Sequence, residues 1–481
     1  MTTWTVGQLI EATGGELVAG DPAVGGITGI AIDSRRLEPR QAFLAIRGPR
    51  FDGHQFLPEA MARGAACLLL SHVPTPLPAG PIIRVADTAA ALLAVAAFHR
   101  RRFAIPVIAV TGSCGKTTTK ELIAHLLASQ RHVLHTSGTE NNQVGVPLTL
   151  LRLSDAHEVA VVELGSNHPG EIATLAAIAR PTIAVITNVG PSHLEFFGSL
   201  DAIRQEKLSL LEALEPGGTA VVTGDQIEVL LEAKARLKPQ TALLTFGLSE
   251  QCGIQALEVR RYAHGLSMRL RGVAGECVLP LRGSHNVENV LAALACLKAL
   301  GIPLELAQGR LRSFRTLPMR SELIQCNGFT VLNDCYNANP LSFARALETL
   351  RDLEAARKVV IAGDMLELGE TAPAAHQAIG RLAAQFGIEM ILAVGAFAEE
   401  VARGASAADR TTTMTFKTIP ELLSRLPSLL KHGDGILIKG SRKVQLERVT
   451  AFLTDQAQHA RHDGHVPGDH GIPPAEIRAH R

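Results

Sequence analysis

The stretch Val107-Ile-Ala-Val-Thr-Gly-Ser-Cys-Gly115-Lys-Thr-Thr-Thr-Lys-Glu121 decides the fold. Its apolar run, Val107 to Val110, reads as a buried strand. A turn carrying Gly112 and Gly115 follows, and then a helical pattern from Thr118 to Ser129. Glycine lets backbone N–H groups turn inward around phosphate oxygens. The start of the next helix adds the positive end of its dipole. Lys116 can reach the β- and γ-phosphates, and the Thr117 hydroxyl can ligate Mg²⁺. Gly112, Ser113, Cys114, Gly115, Lys116, Thr117 and Thr118 are therefore candidates for holding ATP. The longer form of this loop has a glycine where Val110 stands, so this is a short GxxGKT variant. A GKT triplet alone says little, and an ordinary strand-to-helix turn can also carry glycine. The strand before it and the helix after it make the phosphate reading specific.

Outward from the loop, strand candidates Val159–Glu163, Ile183–Thr187 and Thr219–Val222 alternate with helical patterns. This predicts a mostly parallel sheet covered on both faces. Around Ala242 to Leu281 short alternating segments predict a small antiparallel patch. The logic repeats at Thr330–Asn333, Lys358–Ala362, Met390–Val394 and Gly435–Lys439, a second, Rossmann-like α/β unit. Before the loop, Ala42–Ile46, Cys67–Leu70 and Ile82–Val85 read as short strands, and Thr88–Phe103 as a helix ending before Pro106. The expected fold class is α/β with three domains: 1–104, 105–317 and 318–456. A polar, His-rich tail, 457–481, has no periodicity and is expected to be disordered.

Composition agrees. At roughly 150 residues per domain, 481 residues suggest about three. The chain is 46% hydrophobic but only 4% aromatic, so aliphatic side chains must fill the cores. Net charge is +1, without the basic excess of a nucleic-acid-binding protein. Seven cysteines lie scattered without CxxC spacing, which excludes a disulfide framework and a zinc site and fits a reducing cytoplasm. No signal peptide is visible at the start. The longest apolar runs, such as Ala89–Phe98, fall short of the ~18–20 residues that span a bilayer. A cytoplasmic monomer with no membrane segment is expected.

Thr111-Gly-Ser-Cys-Gly-Lys-Thr-Thr-Thr-Lys-Glu121 also resembles the phosphate loop of the Mur ligase family. Further stretches match that family in order and spacing: Asp33-Ser-Arg35, Asp52-Gly-His54, Thr139-Glu-Asn-Asn142, Glu163-Leu-Gly165, Thr187-Asn-Val-Gly-Pro-Ser-His193, Phe197-Gly-Ser199 and Gly283-Ser-His-Asn286. Asn333-Asp-Cys-Tyr-Asn-Ala-Asn-Pro340, Gly363-Asp-Met-Leu-Glu-Leu-Gly369 and Lys439-Gly-Ser-Arg442 resemble its MurF branch in particular. The resemblance runs from about residue 25 to about 448. It implies a small UDP-binding domain, a central ATPase domain and a C-terminal Rossmann-like domain. It also implies an ATP-dependent amide ligase of peptidoglycan precursor synthesis, joining D-alanyl-D-alanine to UDP-N-acetylmuramoyl-tripeptide through an acyl phosphate. Another amino-acid ligase of the family, a folylpolyglutamate synthase, a P-loop kinase and a non-catalytic nucleotide-binding protein remain the alternatives.

Carried onto this sequence, the resemblance implies roles that the residue types can support. Lys116, Glu163, His193 and Lys207 form the catalytic set, with Thr117, Glu163, His193 and Lys207 holding Mg²⁺, two ions in all. Lys207 is the position where relatives carry a CO₂-derived carbamate, which would turn charge repulsion near a cation into attraction. Asn286 and Tyr336 would hold adenine, Asp334 the ribose, and Arg320 the γ-phosphate. The context Pro318-Met-Arg320 departs from the family's usual Gly before that Arg. Asp33, Ser34, Arg35, Arg47 and His54 fall at the uridine-diphosphate end, where an Arg fork suits a diphosphate. Thr139, Asn141 and Asn142 fall at the pyrophosphate and sugar. Asn337, Asn339, Asp364 and Lys439 would face the dipeptide, on loops at strand ends where open α/β sheets bind ligands. ATP on the second domain must meet residues of the third, so closure is expected.

Overall fold

The computed structural model describes residues 3–48, 51–262, 265–406 and 410–462. Three sheets organise it. The N-terminal sheet contains β1 (Glu16–Ala19), β2 (Ile30–Ala31), β3 (Ala42–Leu44), β4 (Cys67–Leu70) and β5 (Ile82–Arg84), in the order β1-β5-β4-β3-β2. The central sheet contains β6 (Val107–Thr111), β7 (Val133–His135), β8 (Val159–Glu163), β9 (Ile183–Ile186), β10 (Thr219–Thr223), β11 (Ala242–Gly247), β12 (Ile254–Tyr262), β13 (Gly265–Leu270) and β14 (Cys277–Leu279). Its order is β14-β13-β12-β11-β10-β9-β6-β8-β7. The C-terminal sheet contains β15 (Glu322–Cys326), β16 (Phe329–Asn333), β17 (Arg357–Gly363), β18 (Met390–Val394), β19 (Thr412–Phe416) and β20 (Asp434–Lys439), ordered β15-β16-β20-β17-β18-β19.

Strict alternation in continuous apolar strands builds a core on each face of the central sheet. Ile108, Val110, Val159 and Val161 pack with the helices Lys116–Leu127 and His285–Ala299 on one side. Val107, Ala109, Ala160 and Val162 pack with Glu171–Ala179 on the other. β17 and β20 repeat this pattern. Val360, Ala362 and Leu437 face one core and Val359, Ile361, Ile436 and Ile438 the opposite one. A two-sided buried parallel sheet has this signature.

The strands read from sequence form, with one change in pairing, and two helices differ in extent. The patch from Ala242 to Leu281 is not wholly antiparallel. β11 pairs parallel with both β10 and β12, and antiparallel pairing is confined to β12-β13-β14. The helix after the phosphate loop starts at Lys116, ahead of the expected Thr118, because Gly115 takes a left-handed backbone (φ 81°) at its N-cap. Lys116 and Thr117 thereby sit in the first turn. The last helix, Glu447–His462, runs past residue 456. The rest of the expected tail lies outside the described residues.

β6 lies between β8 and β9 while the chain visits β7 and β8 on one side and β9 onward on the other. The strand order reverses there, which is where open α/β sheets leave a crevice at their carboxyl ends. The phosphate loop fills that position. The carboxyl ends of β16 and β20 face it from the C-terminal sheet.

Candidate active site

The loop from Gly112 to Thr117 is held from behind. Ser113 N–H donates to the Asn188 carbonyl at 3.0 Å, and Cys114 N–H to Asn188 Oδ1 at 3.0 Å. A Cβ on Gly112 (φ 143°) would stand 2.0 Å from Thr187 Oγ1, and one on Gly115 would stand 2.2 Å from Asn289 Oδ1. Both positions therefore demand glycine for space as well as for conformation. Lys116 folds back so that Nζ donates to the Gly112 carbonyl at 2.7 Å. Burial pushes its pKa below the ordinary lysine range, opposed by the charge of Glu163.

Glu163, at the end of β8, is 1% exposed. Its Oε1 accepts from Thr117 Oγ1 at 3.1 Å and Asn141 Nδ2 at 2.7 Å. Its Oε2 is buried with no hydrogen-bond partner among the described residues. A buried carboxylate oxygen left bare is costly. Beside a threonine hydroxyl at a phosphate loop, it fits a hard, oxygen-seeking cation.

Lys207 lies in the last turn of the helix Leu200–Leu208, 1% exposed, with Nζ 2.6 Å from Ser166 Oγ. Burial first, then the charge of Lys116, lowers its pKa to about 7. Much of it is therefore a neutral amine near pH 7, the form that adds to CO₂. His193 takes a left-handed backbone (φ 53°) before the short helix Leu194–Phe197. Its Nδ1 lies 2.5 Å from Glu367 Oε2, across the gap to the C-terminal unit. That bond holds the Glu367 carboxyl below the usual range.

Lys116, Glu163, His193 and Glu367 open on one cavity of about 660 Å³, lined from both units, whereas Lys207 lies behind its wall at Ser166 and does not border it. The loop residues Ser113 to Thr118, Asn141, Asn142, Glu163, His193, Asn286, Arg320, Asp334, Tyr336, Asn337, Asn339 and Lys439 all border it. Asn339 caps the helix Pro340–Arg351, and its Oδ1 also lies 3.5 Å from Cys114 Sγ on the loop. Arg345 on the same helix pairs with Glu288 of the central unit at 2.7 Å. The two units are thus in contact around the loop.

Several predicted residues occupy positions that the sequence did not anticipate. The Tyr336 hydroxyl bonds to Thr139, and the Arg320 guanidinium covers its ring at 3.9 Å from the centroid. Asp334 accepts from Ser321 N–H at 2.9 Å and pairs with the Lys439 ammonium, whose burial that pairing permits. Asn142 Oδ1 accepts from Val144 N–H at 3.1 Å and Gly145 N–H at 2.9 Å, where the helix Gly145–Leu151 begins. Asp364 does not border the cavity. Its two oxygens accept from Ala396 N–H and Phe397 N–H at 2.9 Å each, ahead of the helix Ala398–Ala405.

The uridine candidates lie apart, on the N-terminal unit. His54 is turned inward, with Nδ1 2.6 Å from Asp52 Oδ1 and Nε2 accepting from Ser71 N–H at 3.0 Å. Both of its nitrogens are occupied, so it shapes the loop rather than offering a free group. Ser34 Oγ donates to Glu59 at 2.6 Å, and Asp33 forks with Arg35 at 2.9 and 2.8 Å. The Arg35 and Arg47 side chains are the exposed members, at 79% and 73%. Sequence reading missed Asn188, Asn289, Ser166, Arg345 and Glu367. Four are uncharged or ordinary surface types, and none has local spacing that betrays its distant partner. Asn188 and Glu367 stood inside quoted motifs without a role.

Fold and cavity define a phosphate-loop nucleotide-binding protein whose site closes against a second α/β unit. Comparison with known proteins narrows the class. Family models described as Mur ligase family, catalytic domain, Mur ligase middle domain, and Mur ligase, glutamate ligase domain match residues 26–100, 110–297 and 319–442. The chain is 35% identical to the UDP-N-acetylmuramoyl-tripeptide--D-alanyl-D-alanine ligase of Bacillus subtilis (strain 168), over 89% of this chain and 93% of that one. It is 34% identical to the enzyme of that name from Escherichia coli (strain K12), over 95% and 99%. A crystal structure of MurF from Acinetobacter baumannii matches with TM-score 0.86 at 34% identity, covering 95% of this chain and 99% of that one. MurF ligase from Thermotoga maritima in complex with ADP matches with TM-score 0.81 at 27% identity, over 90% and 99%. The chain belongs to the Mur ligase family.

Proposed function

We propose that this protein joins D-alanyl-D-alanine to UDP-N-acetylmuramoyl-tripeptide, consuming ATP and giving the UDP-muramoyl-pentapeptide, ADP and phosphate. The observation that carries this reading is the single cavity in which the phosphate loop and bare Glu163 Oε2 meet Asn337, Asn339 and Lys439 of the C-terminal unit. A nucleotide-binding module has no use for that second wall. Residues 1–104 serve the UDP end, 105–317 hold ATP, and 318–456 present the dipeptide. In this division Asp364 acts by holding the turn Ala396-Phe397, not through the dipeptide.

In the reaction an oxygen of the tripeptide's terminal carboxylate attacks the γ-phosphorus of ATP. The bond to the β–γ bridging oxygen breaks and ADP leaves. The dipeptide amine then attacks the acyl carbon, phosphate departs, and the nitrogen loses one proton. Charge accumulates on phosphoryl oxygens, so positive groups held in place supply most of the acceleration. Lys116 is one such group, held at the loop by the Gly112 carbonyl. Thr117, Glu163 and His193 would hold Mg²⁺, which when bound neutralises phosphate charge. Lys207 would join them after its neutral amine takes up CO₂ as a carbamate with loss of one proton. Docking of the C-terminal unit keeps water from the acyl phosphate. Seven unpaired cysteines support a reducing cytoplasm. No helix among the described residues is long and apolar enough to cross a membrane.

Isotope transfer tests the route. With ¹⁸O in the terminal carboxylate of the tripeptide, one labelled oxygen should appear in the released phosphate. Phosphate without label would exclude the acyl phosphate.

A further inference from the structure

Two non-glycine residues with left-handed backbones face each other across the gap between units: His193 at φ 53° and Glu367 at φ 63°. Such a backbone is unfavourable for any side chain with a Cβ and persists only where the surroundings enforce it. Three contacts enforce it here. Glu367 Oε2 lies 2.5 Å from His193 Nδ1, and the Glu367 carbonyl accepts from Glu195 N–H at 3.1 Å. Leu194, between them in sequence, packs against the cores of both units. A carboxylate only accepts, so Nδ1 carries a proton, and in the neutral ring that leaves the acceptor lone pair on Nε2. Metal-binding histidines are oriented by such a partner.

We propose that Glu367 is a positioning residue for His193. It fixes the tautomer and ring direction of a ligand on the central unit from the C-terminal unit. The metal site is then complete only when the two units are docked, and cation binding and docking favour each other. The inference rests on the reading of His193 as a ligand.

The experiment measures Mn²⁺ binding to the full chain with the β,γ-methylene analogue of ATP and the UDP-tripeptide, from the electron-paramagnetic-resonance signal of free Mn²⁺. Glu367→Ala should weaken Mn²⁺ binding by about 10- to 100-fold. Glu367→Gln, whose amide oxygen still accepts from Nδ1–H, should recover most of that loss. In turnover, Glu367→Ala should lower kcat and leave the KM for the UDP-substrate unchanged. Glu367→Ala binding Mn²⁺ like the parent, or Glu367→Gln failing as badly as Glu367→Ala, would overturn the proposal. His193→Ala separates the two levels. If it weakens Mn²⁺ while Glu367→Ala does not, His193 remains a ligand and the positioning role falls. If His193→Ala binds Mn²⁺ normally, the ligand reading itself falls.

Discussion

Replacing Lys207 with methionine should destroy activity and raise stability, and the size of the gain should depend on pH. Lys207 is 1% exposed, and burial lowers its pKa from the ordinary 10.5 to about 7. At 1.36 kcal/mol per pH unit, that difference corresponds to about 5 kcal/mol. Between pH 7 and 10.5 the unfolded chain binds one more proton at this site than the folded chain. Stability therefore rises with pH across this window, and the full penalty is felt at pH 7 and below. At pH 8.5 the remaining cost of neutralising the amine is about 3 kcal/mol by the same constant. Methionine is of similar length and carries no charge. It loses the bond to Ser166, worth about 1 kcal/mol at any pH. Lys207→Met should thus exceed the parent by about 4 kcal/mol at pH 7 and about 2 kcal/mol at pH 8.5. The assay is calorimetric melting of both proteins at the two pH values in CO₂-free buffer, because a carbamate would relieve the parent's penalty. Adding bicarbonate should raise the parent's Tm and leave the variant's unchanged. A variant that melts below the parent by the same margin at both pH values would refute the reasoning.

Other outcomes follow from the same geometry. Glu163→Gln should cut phosphate release on the order of 100-fold without lowering Tm, since it replaces a buried oxygen that has no partner among the described residues; undiminished release would remove Glu163 from the metal site. Gly112→Ala places a methyl 2.0 Å from Thr187 Oγ1 and should weaken ADP binding by calorimetry at least about 10-fold; unchanged affinity would mean that the loop tolerates a side chain there. Asp364→Ala should cost about 1–3 kcal/mol of stability through the two lost hydrogen bonds to Ala396 N–H and Phe397 N–H, and leave the KM for D-alanyl-D-alanine alone. A raised KM at unchanged Tm would return Asp364 to the dipeptide site.

Long apolar strands and glycine chemistry were the legible parts of the sequence. β6 and β8 announce themselves because both faces are buried, and Gly112 and Gly115 because no other residue fits. β1 and β2 did not, being short and in β1 half-exposed, with no pattern to read. The family motifs located the carboxyl ends of β16, β17 and β20 but could not say which way a side chain turns. Hence Asp334 and Lys439 border the cavity paired with each other, while Asp364 turns to a neighbouring helix. His54 turns inward for a similar reason. A histidine in a motif looks like a binding group, yet the Ser71 N–H and the Asp52 carboxylate consume both its nitrogens. Asn289 was invisible because an asparagine backing a loop from a distant helix leaves no local signature, and Asn188 stood in a motif that did not say what it holds.

The measurement that bears most directly on the account is phosphate release from ATP with UDP-N-acetylmuramoyl-tripeptide, with and without D-alanyl-D-alanine, together with the mass of the nucleotide product. Release that requires both substrates, with a product heavier by one D-alanyl-D-alanyl unit, is the expected result. Release that ignores the dipeptide and answers to a free amino acid, or no coupled release at all, would contradict it.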